Sequence, residues 1–289
     1  MNGCVTGRTS VVGLFGNPVK HSYSPAMHNS AFAELDLDYI YVPFEVHPSN
    51  LTSAVEAIRA LGIKGVNVTI PHKSDIIKHL DWVSESARSI MSVNTIHNDN
   101  GILKGYSTDG EGFVLSVKES GVSLLNTNTV VLGAGGSAKA TVLALVENGA
   151  NVKIINRTYS RAVDLAEGIN LLKNAERVTV VPYGDGAADA IAEADLMVNC
   201  TSVGMHPDMD ISPVPGEWIH PGLFVYDQIY NPIETRLIRL ARQAGASGIN
   251  GQGMLVYQGA LSFRIWTGLE APVSNMKSTL LESLQSGTN

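Results

Sequence analysis

Two groups of residues in this 289-residue chain have the types and spacing for chemistry. The first is Thr129-Val-Val-Leu-Gly133-Ala134-Gly135-Gly136-Ser137-Ala138, an apolar run followed by G-x-G-x-x-A and a helix-forming stretch. That pattern binds anions. The first glycine makes a tight turn, the second lets backbone approach a pyrophosphate, and a small residue at 138 lets the next helix pack closely on the strand. Free N–H groups at the helix start then face the negative charge. About 20 residues further on, an Asp or Glu would hold the ribose 2′-hydroxyl of NAD. The chain instead has Asn156-Arg157-Thr158, with Arg161 close behind. No carboxylate repels a 2′-phosphate there, and guanidinium groups bind phosphate through a bidentate fork. The expected cofactor is NADP, with NAD the weaker alternative.

The second group is a set of polar clusters. His21-Ser22-Tyr23-Ser24-Pro25 places two hydroxyls at a predicted helix start, a setting that holds a carboxylate. Ser24 also suits the N-cap and Pro25 the first helical position. Asn67-Val-Thr69-Ile-Pro71-His72-Lys73 reads as a strand end turning into a helix. Alternation puts Asn67 and Thr69 on one face, and Asn67 is expected to satisfy backbone groups at the strand end. Taken alone, Lys73 reads as a surface charge and His72 as an exposed or locally bonded side chain. Asn94-Thr95 and Ser107-Thr108-Asp109-Gly110 are further polar clusters at segment ends, where α/β proteins place ligands.

The elements that must position these residues alternate. Strands are predicted at Val11–Phe15, Tyr39–Phe44 and Gly65–Ile70, with helices from Ser24 and over Leu51–Leu61 between them. The pattern restarts near Asn126 with strands at Thr129–Leu132, Val152–Ile155, Val178–Pro182, Leu196–Asn199 and Leu223–Tyr226. Helices are predicted over Ser137–Asn148 and from Arg161, and the tail from Gly251 is helical. This alternation implies two α/β domains with mostly parallel sheets, the second of Rossmann type.

Composition narrows the class. With 44% hydrophobic and only 16% charged residues the chain is not disordered. Its net charge of −7, with no Lys/Arg cluster, argues against nucleic acid. No apolar run is long enough to cross a membrane. Cys4 and Cys200 are too few for a disulfide framework or a four-cysteine zinc site, and the eight histidines lack H-x-x-x-H spacing, so no metal is expected. The chain reads as soluble and cytoplasmic.

The ordered motifs resemble the shikimate dehydrogenase family, including its quinate/shikimate branch. They are His21-Ser22-x-Ser24-Pro25-x-x-His28-Asn29, Gly65-Val-Asn67-Val-Thr69-x-Pro71-x-Lys73, Val93-Asn94-Thr95 and Gly105-x-x-Thr108-Asp109-Gly110. The glycine loop and Asn156-Arg157-Thr158 follow, then Asn199-x-Thr201-Ser202, Asp227-x-x-Tyr230-Asn231-Pro232, Gly253-Met254-Leu255-x-x-Gln258 and Trp266-Thr267-Gly268. The resemblance implies NADPH-dependent, reversible reduction of 3-dehydroshikimate to shikimate, a step toward chorismate and the aromatic amino acids.

It also implies roles. Lys73 and Asp109 match the catalytic pair, while Ser22 and Ser24 match carboxylate binders. Thr69, Asn94 and Gln258 match the groups holding the ring hydroxyls, with Tyr230 near the substrate. Gly133, Ala134, Gly135, Gly136, Ser137, Asn156, Arg157, Thr158, Arg161, Ile229 and Gly251 match cofactor positions. The expected plan is a substrate domain of residues 1–108 plus 251–289 and an NADP domain of 109–250, separated by a cleft, in a monomer or homodimer. Three sites depart from the common family pattern: Ser107 for Asn, Met91-Ser92 for Gly-Ala, and Gly259 for Ala. They keep quinate, or a related hydroxylated cyclohexane carboxylate, as the alternative substrate. A non-catalytic dinucleotide-binding regulator would not need both Lys73 and Asp109.

Overall fold

The computed structural model describes residues 5–287, so Cys4 lies outside the described residues. The chain forms two α/β units, one running to Gly112 and resuming at Val256, the other covering Phe113–Leu255.

The first unit contains β1 (Ser10–Gly16), α1 (Ser24–Glu34), β2 (Tyr39–Glu45), α2 (Leu51–Ala60), β3 (Gly65–Val68), β4 (Trp82–Val83), α3 (Glu85–Ser89), β5 (Thr95–Asp99) and β6 (Ile102–Tyr106). Its sheet order is β2-β1-β3-β5-β6-β4. Strands β2, β1 and β3 are parallel, and β5 runs antiparallel to both β3 and β6. Leu51, Val55 and Ile58 bury one stripe of α2 against this sheet, beside Val66, Ile76, Ile96 and Leu103. Each such side chain contributes about 1.5–3 kcal/mol of transfer free energy. The unit is left through α4 (Asp109–Glu119).

The β5–β6 hairpin was not predicted. Its turn is Asn100-Gly101, with φ of 52° and 95°. Two positive φ angles suit the twist of a two-residue hairpin, and Asn-Gly tolerates them. The expected helix after Pro71 is also different: Lys73 lies in a turn, and a 3-10 segment covers only Asp75–His79. Ser24 is not the N-cap of α1. Tyr23 holds that position without a side-chain bond, and Ser24 is the first helical residue.

The second unit contains β7 (Asn128–Leu132), α5 (Gly136–Glu147), β8 (Asn151–Ile155), α6 (Tyr159–Lys173), β9 (Val178–Val181), α7 (Asp185–Ala192), β10 (Leu196–Asn199), β11 (Phe224–Asp227), α8 (Arg236–Gln243) and β12 (Ser247–Ile249). All pairings are parallel, in the order β12-β11-β10-β7-β8-β9. This is the doubly wound order, whose strand sequence reverses between β7 and β10. Strand β10 is buried throughout, as a strand covered on both faces must be. The chain returns to the first unit within α9 (Gln252–Thr267) and ends in α10 (Val273–Ser286). Helix α10 packs on α1, where Ser30 Oγ lies 2.7 Å from Thr279 Oγ1.

Candidate active site

The hairpin in the first unit assembles the polar clusters. Thr95 pairs with Tyr106, and the Asn94 N–H donates to the Tyr106 carbonyl at 3.0 Å. Asn94 therefore lies beside Thr108 and Asp109, which follow β6. Its Nδ2 donates to Asp109 Oδ1 at 2.8 Å and Thr108 Oγ1 at 2.9 Å, while its Oδ1 accepts from the Thr108 N–H at 2.8 Å. Lys73 Nζ donates to the other Asp109 oxygen, Oδ2, at 2.6 Å. The Asp109 side chain is 10% exposed and that of Lys73 24%, so the pair is sheltered while the ammonium stays reachable. Gln258 joins from α9: its Oε1 lies 3.4 Å from Asn94 Nδ2, and its carbonyl accepts from Thr108 Oγ1 at 3.0 Å. Gly112 on α4 permits this approach, because a Cβ there would lie 2.6 Å from the Gln258 nitrogen.

Behind the pair runs a buried network that the sequence did not reveal. Asn67 Nδ2 lies within hydrogen-bonding distance of the Asn94 carbonyl, Thr95 Oγ1 and Ser262 Oγ, at 3.2, 3.1 and 2.9 Å. Asn67 Oδ1 accepts from the Tyr41 hydroxyl at 2.9 Å. Burial raises the Tyr41 pKa and keeps the phenol protonated. Hydrogen bonds thus connect Tyr41 to Lys73 through Asn67, Asn94 and Asp109. Asn67 does serve the strand end, but it also fixes the site's floor.

The remaining first-unit candidates lie around this set. Ser22 accepts from the Ser24 N–H at 3.3 Å. Thr69 follows β3, with its methyl beside Gly16. His72 is buried rather than exposed, and its Nε2 lies 2.7 Å from the Val46 carbonyl oxygen. Among the departures, Met91 is 53% exposed and holds φ of 51°, a left-handed conformation that glycine adopts at lower cost. A Cβ at Gly259 would point at Met276 and His28, at 3.3 and 3.4 Å. Ser107 directly precedes Thr108, and Gly259 directly follows Gln258.

The second unit carries the anion-binding features. Gly133 turns at φ 107°, and a Cβ there would sit 3.1 Å from Thr201 Cγ2. Gly135 and Gly136 border open space. Helix α5 starts without a side-chain cap, leaving its first N–H groups for a ligand. Ala134 and Ser137 are half-buried beside them. Asn156 Nδ2 donates to the Thr158 carbonyl at 2.8 Å and shapes the loop after β8. Arg157, Thr158 and Arg161 are exposed there, and neither arginine has an ion-pair partner among the described residues. Ile229, Tyr230 and Gly251 also lie in this unit. A Cβ at Gly251 would meet the Gln228 carbonyl at 2.1 Å, so only glycine fits without a shift. Asp227 is fully buried: it accepts from Asn199 Nδ2 at 2.9 Å, Thr235 Oγ1 at 2.6 Å and the Ile229 N–H at 3.2 Å. Burial raises its pKa despite those donors.

Comparison with known proteins decides the family. Residues 14–96 match the shikimate dehydrogenase substrate binding domain, 116–206 the shikimate / quinate 5-dehydrogenase family, and 251–281 the shikimate 5'-dehydrogenase C-terminal domain. The chain is 47% identical over 282 residues to shikimate dehydrogenase (NADP(+)) of Symbiobacterium thermophilum, covering 96% of each protein. The chain belongs to the shikimate dehydrogenase family. A crystal structure of a shikimate dehydrogenase in complex with NADP+ matches with a TM-score of 0.93 and 40% identity, over 97% of this chain and 98% of that one. Quinate dehydrogenase from Corynebacterium glutamicum, in complex with NAD, matches with a TM-score of 0.89 and 33% identity, over 95% and 99%. The two-domain α/β fold is thus common to family members that differ in substrate and cofactor, and the choice rests on side chains.

Proposed function

We propose that this chain is an NADP-dependent shikimate dehydrogenase that reversibly reduces 3-dehydroshikimate to shikimate. The observation that carries this reading is the Lys73–Asp109 pair at 2.6 Å, bonded through Asn94 and Thr108 to Gln258. Bound NADPH supplies the hydride. The chain's own residues handle the proton and the ring. Lys73 Nζ donates to, or stabilises, the oxygen that becomes an alkoxide. Asp109 holds that ammonium and accepts from a ring hydroxyl. Asn94, Gln258 and Thr69 bond further hydroxyls, and the hydroxyls of Ser22 and Ser24 face the carboxylate. Tyr230 is the remaining residue proposed to contact the substrate.

The reading is tested by initial rates at 340 nm with shikimate and quinate, each with NADP and NAD. Shikimate with NADP is expected to be the preferred pair. Preference for quinate would move the chain to the other branch and implicate Ser92 and Ser107. Protein that binds NADP yet turns over neither substrate would support the regulator reading.

Cofactor choice has its own test. Replacing Arg157 with alanine removes a charged donor that a 2′-phosphate would use. The KM for NADP is expected to rise about 10- to 100-fold, the value of one or two charge-assisted hydrogen bonds, with the KM for NAD nearly unchanged. Arg161→Ala is expected to act in the same direction. Equal effects on both cofactors would take the 2′-phosphate away from these arginines.

A further inference from the structure

The residue after β11 does something that no motif assigns. Gln228 is half-buried, and its side-chain carbonyl accepts from the hydroxyl of Ser137, the second residue of α5. Its amide Nε2 donates to Thr141 Oγ1 at 2.7 Å, one turn further along the same helix. Positions four apart share a helix face, so one planar amide clamps two successive turns. The Gln228 main chain is fixed as well: its N–H donates to the Asn199 carbonyl at 3.0 Å, and its carbonyl is packed against Gly251. The next two residues are Ile229 and Tyr230. One side chain therefore ties the anion-binding end of α5 to the segment carrying both expected contact residues.

We propose that Gln228 is a positioning residue for the dinucleotide, acting by holding Ser137 and the first turn of α5 in register with Ile229 and Tyr230. This rests on the NADP reading above. The Ser137 hydroxyl spends its single proton on Gln228, so it cannot donate to a phosphate oxygen at the same time. Ser137 then serves the pyrophosphate through its backbone N–H, and Gln228 keeps that N–H aimed. The pyrophosphate is common to NADP and NAD, so the effect of Gln228 does not depend on the 2′-phosphate. This separates it from Arg157.

The test is a double-mutant cycle on the full-length protein with Gln228→Met, Ser137→Ala and the double variant, each titrated with NADP and NAD by calorimetry. Methionine keeps the length of the side chain and loses both hydrogen bonds. Each single variant is expected to weaken binding of both dinucleotides about 3- to 10-fold, as loss of about one hydrogen bond would. The double variant is expected to be no worse than the weaker single, the signature of coupled residues. Gln228→Glu, which sets a negative charge beside the anion site, is expected to weaken binding more than Gln228→Met. Thermal melting of each variant reports folding, and a variant with an unchanged melting temperature but weaker binding supports positioning over scaffolding. Additive effects, or unchanged binding in Gln228→Met, would overturn the proposal while leaving the dehydrogenase reading intact. Failure of the unaltered protein to bind either dinucleotide would overturn both.

Discussion

Replacing Lys73 with alanine is expected to lower kcat for shikimate oxidation by at least about 10²-fold, the usual contribution of a positioned acid–base group. The geometry makes the loss specific. Lys73 Nζ sits 2.6 Å from Asp109 Oδ2, while Asn94 occupies Oδ1 at 2.8 Å. The carboxylate is thus held on both sides, and removing the lysine takes away the ammonium without removing the bonds among Asn94, Thr108 and Gln258. Dinucleotide affinity should change little, because the glycine loop and the loop after β8 belong to the other unit. A small primary amine added to Lys73→Ala should restore part of the rate, as an ammonium returns to the vacated space. Asp109→Asn keeps the shape but loses the charge that fixes Lys73, so it should also depress kcat. Near-normal turnover in Lys73→Ala, with dinucleotide binding intact, would remove Lys73 from the mechanism.

What the sequence revealed divides by distance along the chain. The glycine loop, the arginines after β8 and the alternation of strands and helices are local signals, and each is visible within about 30 residues. Asn94-Thr95 and Ser107-Thr108-Asp109 stand as separate clusters in the sequence. They become one site because the Asn100-Gly101 turn folds β5 onto β6, and that turn signal was open to reading. Other parts carry no local mark. Asn67 meets Ser262, 195 residues away, and Gln228 meets Ser137 across 91. Nothing in Gln228 or its neighbours points to α5; only the parallel order of the sheet brings it there. The helix expected after Pro71 failed for a different reason. Its polar start was legible, but the segment forms only a short 3-10 stretch, which buries Ile76 and places Lys73 in the turn before it.

His28 should make this protein lose stability as the pH falls below neutrality. The ring is fully buried on α1, stacked on Tyr41 at 4.5 Å between centroids and tilted against Phe32 and Trp266. Neither ring nitrogen has a hydrogen-bond partner among the described residues. Burial lowers the pKa from 6.5 to about 3, because an imidazolium there would lose its water and gain no acceptor. The unfolded chain takes up a proton below pH 6.5, whereas the folded chain does not until about pH 3. Between those values the unfolded state holds more protons, so stability rises with pH at about 1.4 kcal/mol per unit. The contribution is fully present above pH 6.5, and over the whole window the loss is about 5 kcal/mol, a large share of a typical 5–15 kcal/mol. Carboxylates titrate in the same range, so the informative quantity is a difference between variants. His28→Phe keeps a flat ring between Tyr41 and Trp266 and cannot protonate. In urea unfolding at pH 7 and pH 4.5, the unaltered protein should lose about 2–3 kcal/mol more than His28→Phe between the two pH values. His28→Leu, which fills the site without a ring, should show the same reduced pH dependence if the phenylalanine strains the core. Equal losses in all three proteins would mean that the folded state accommodates a charged His28, and that the acid sensitivity of this fold lies elsewhere.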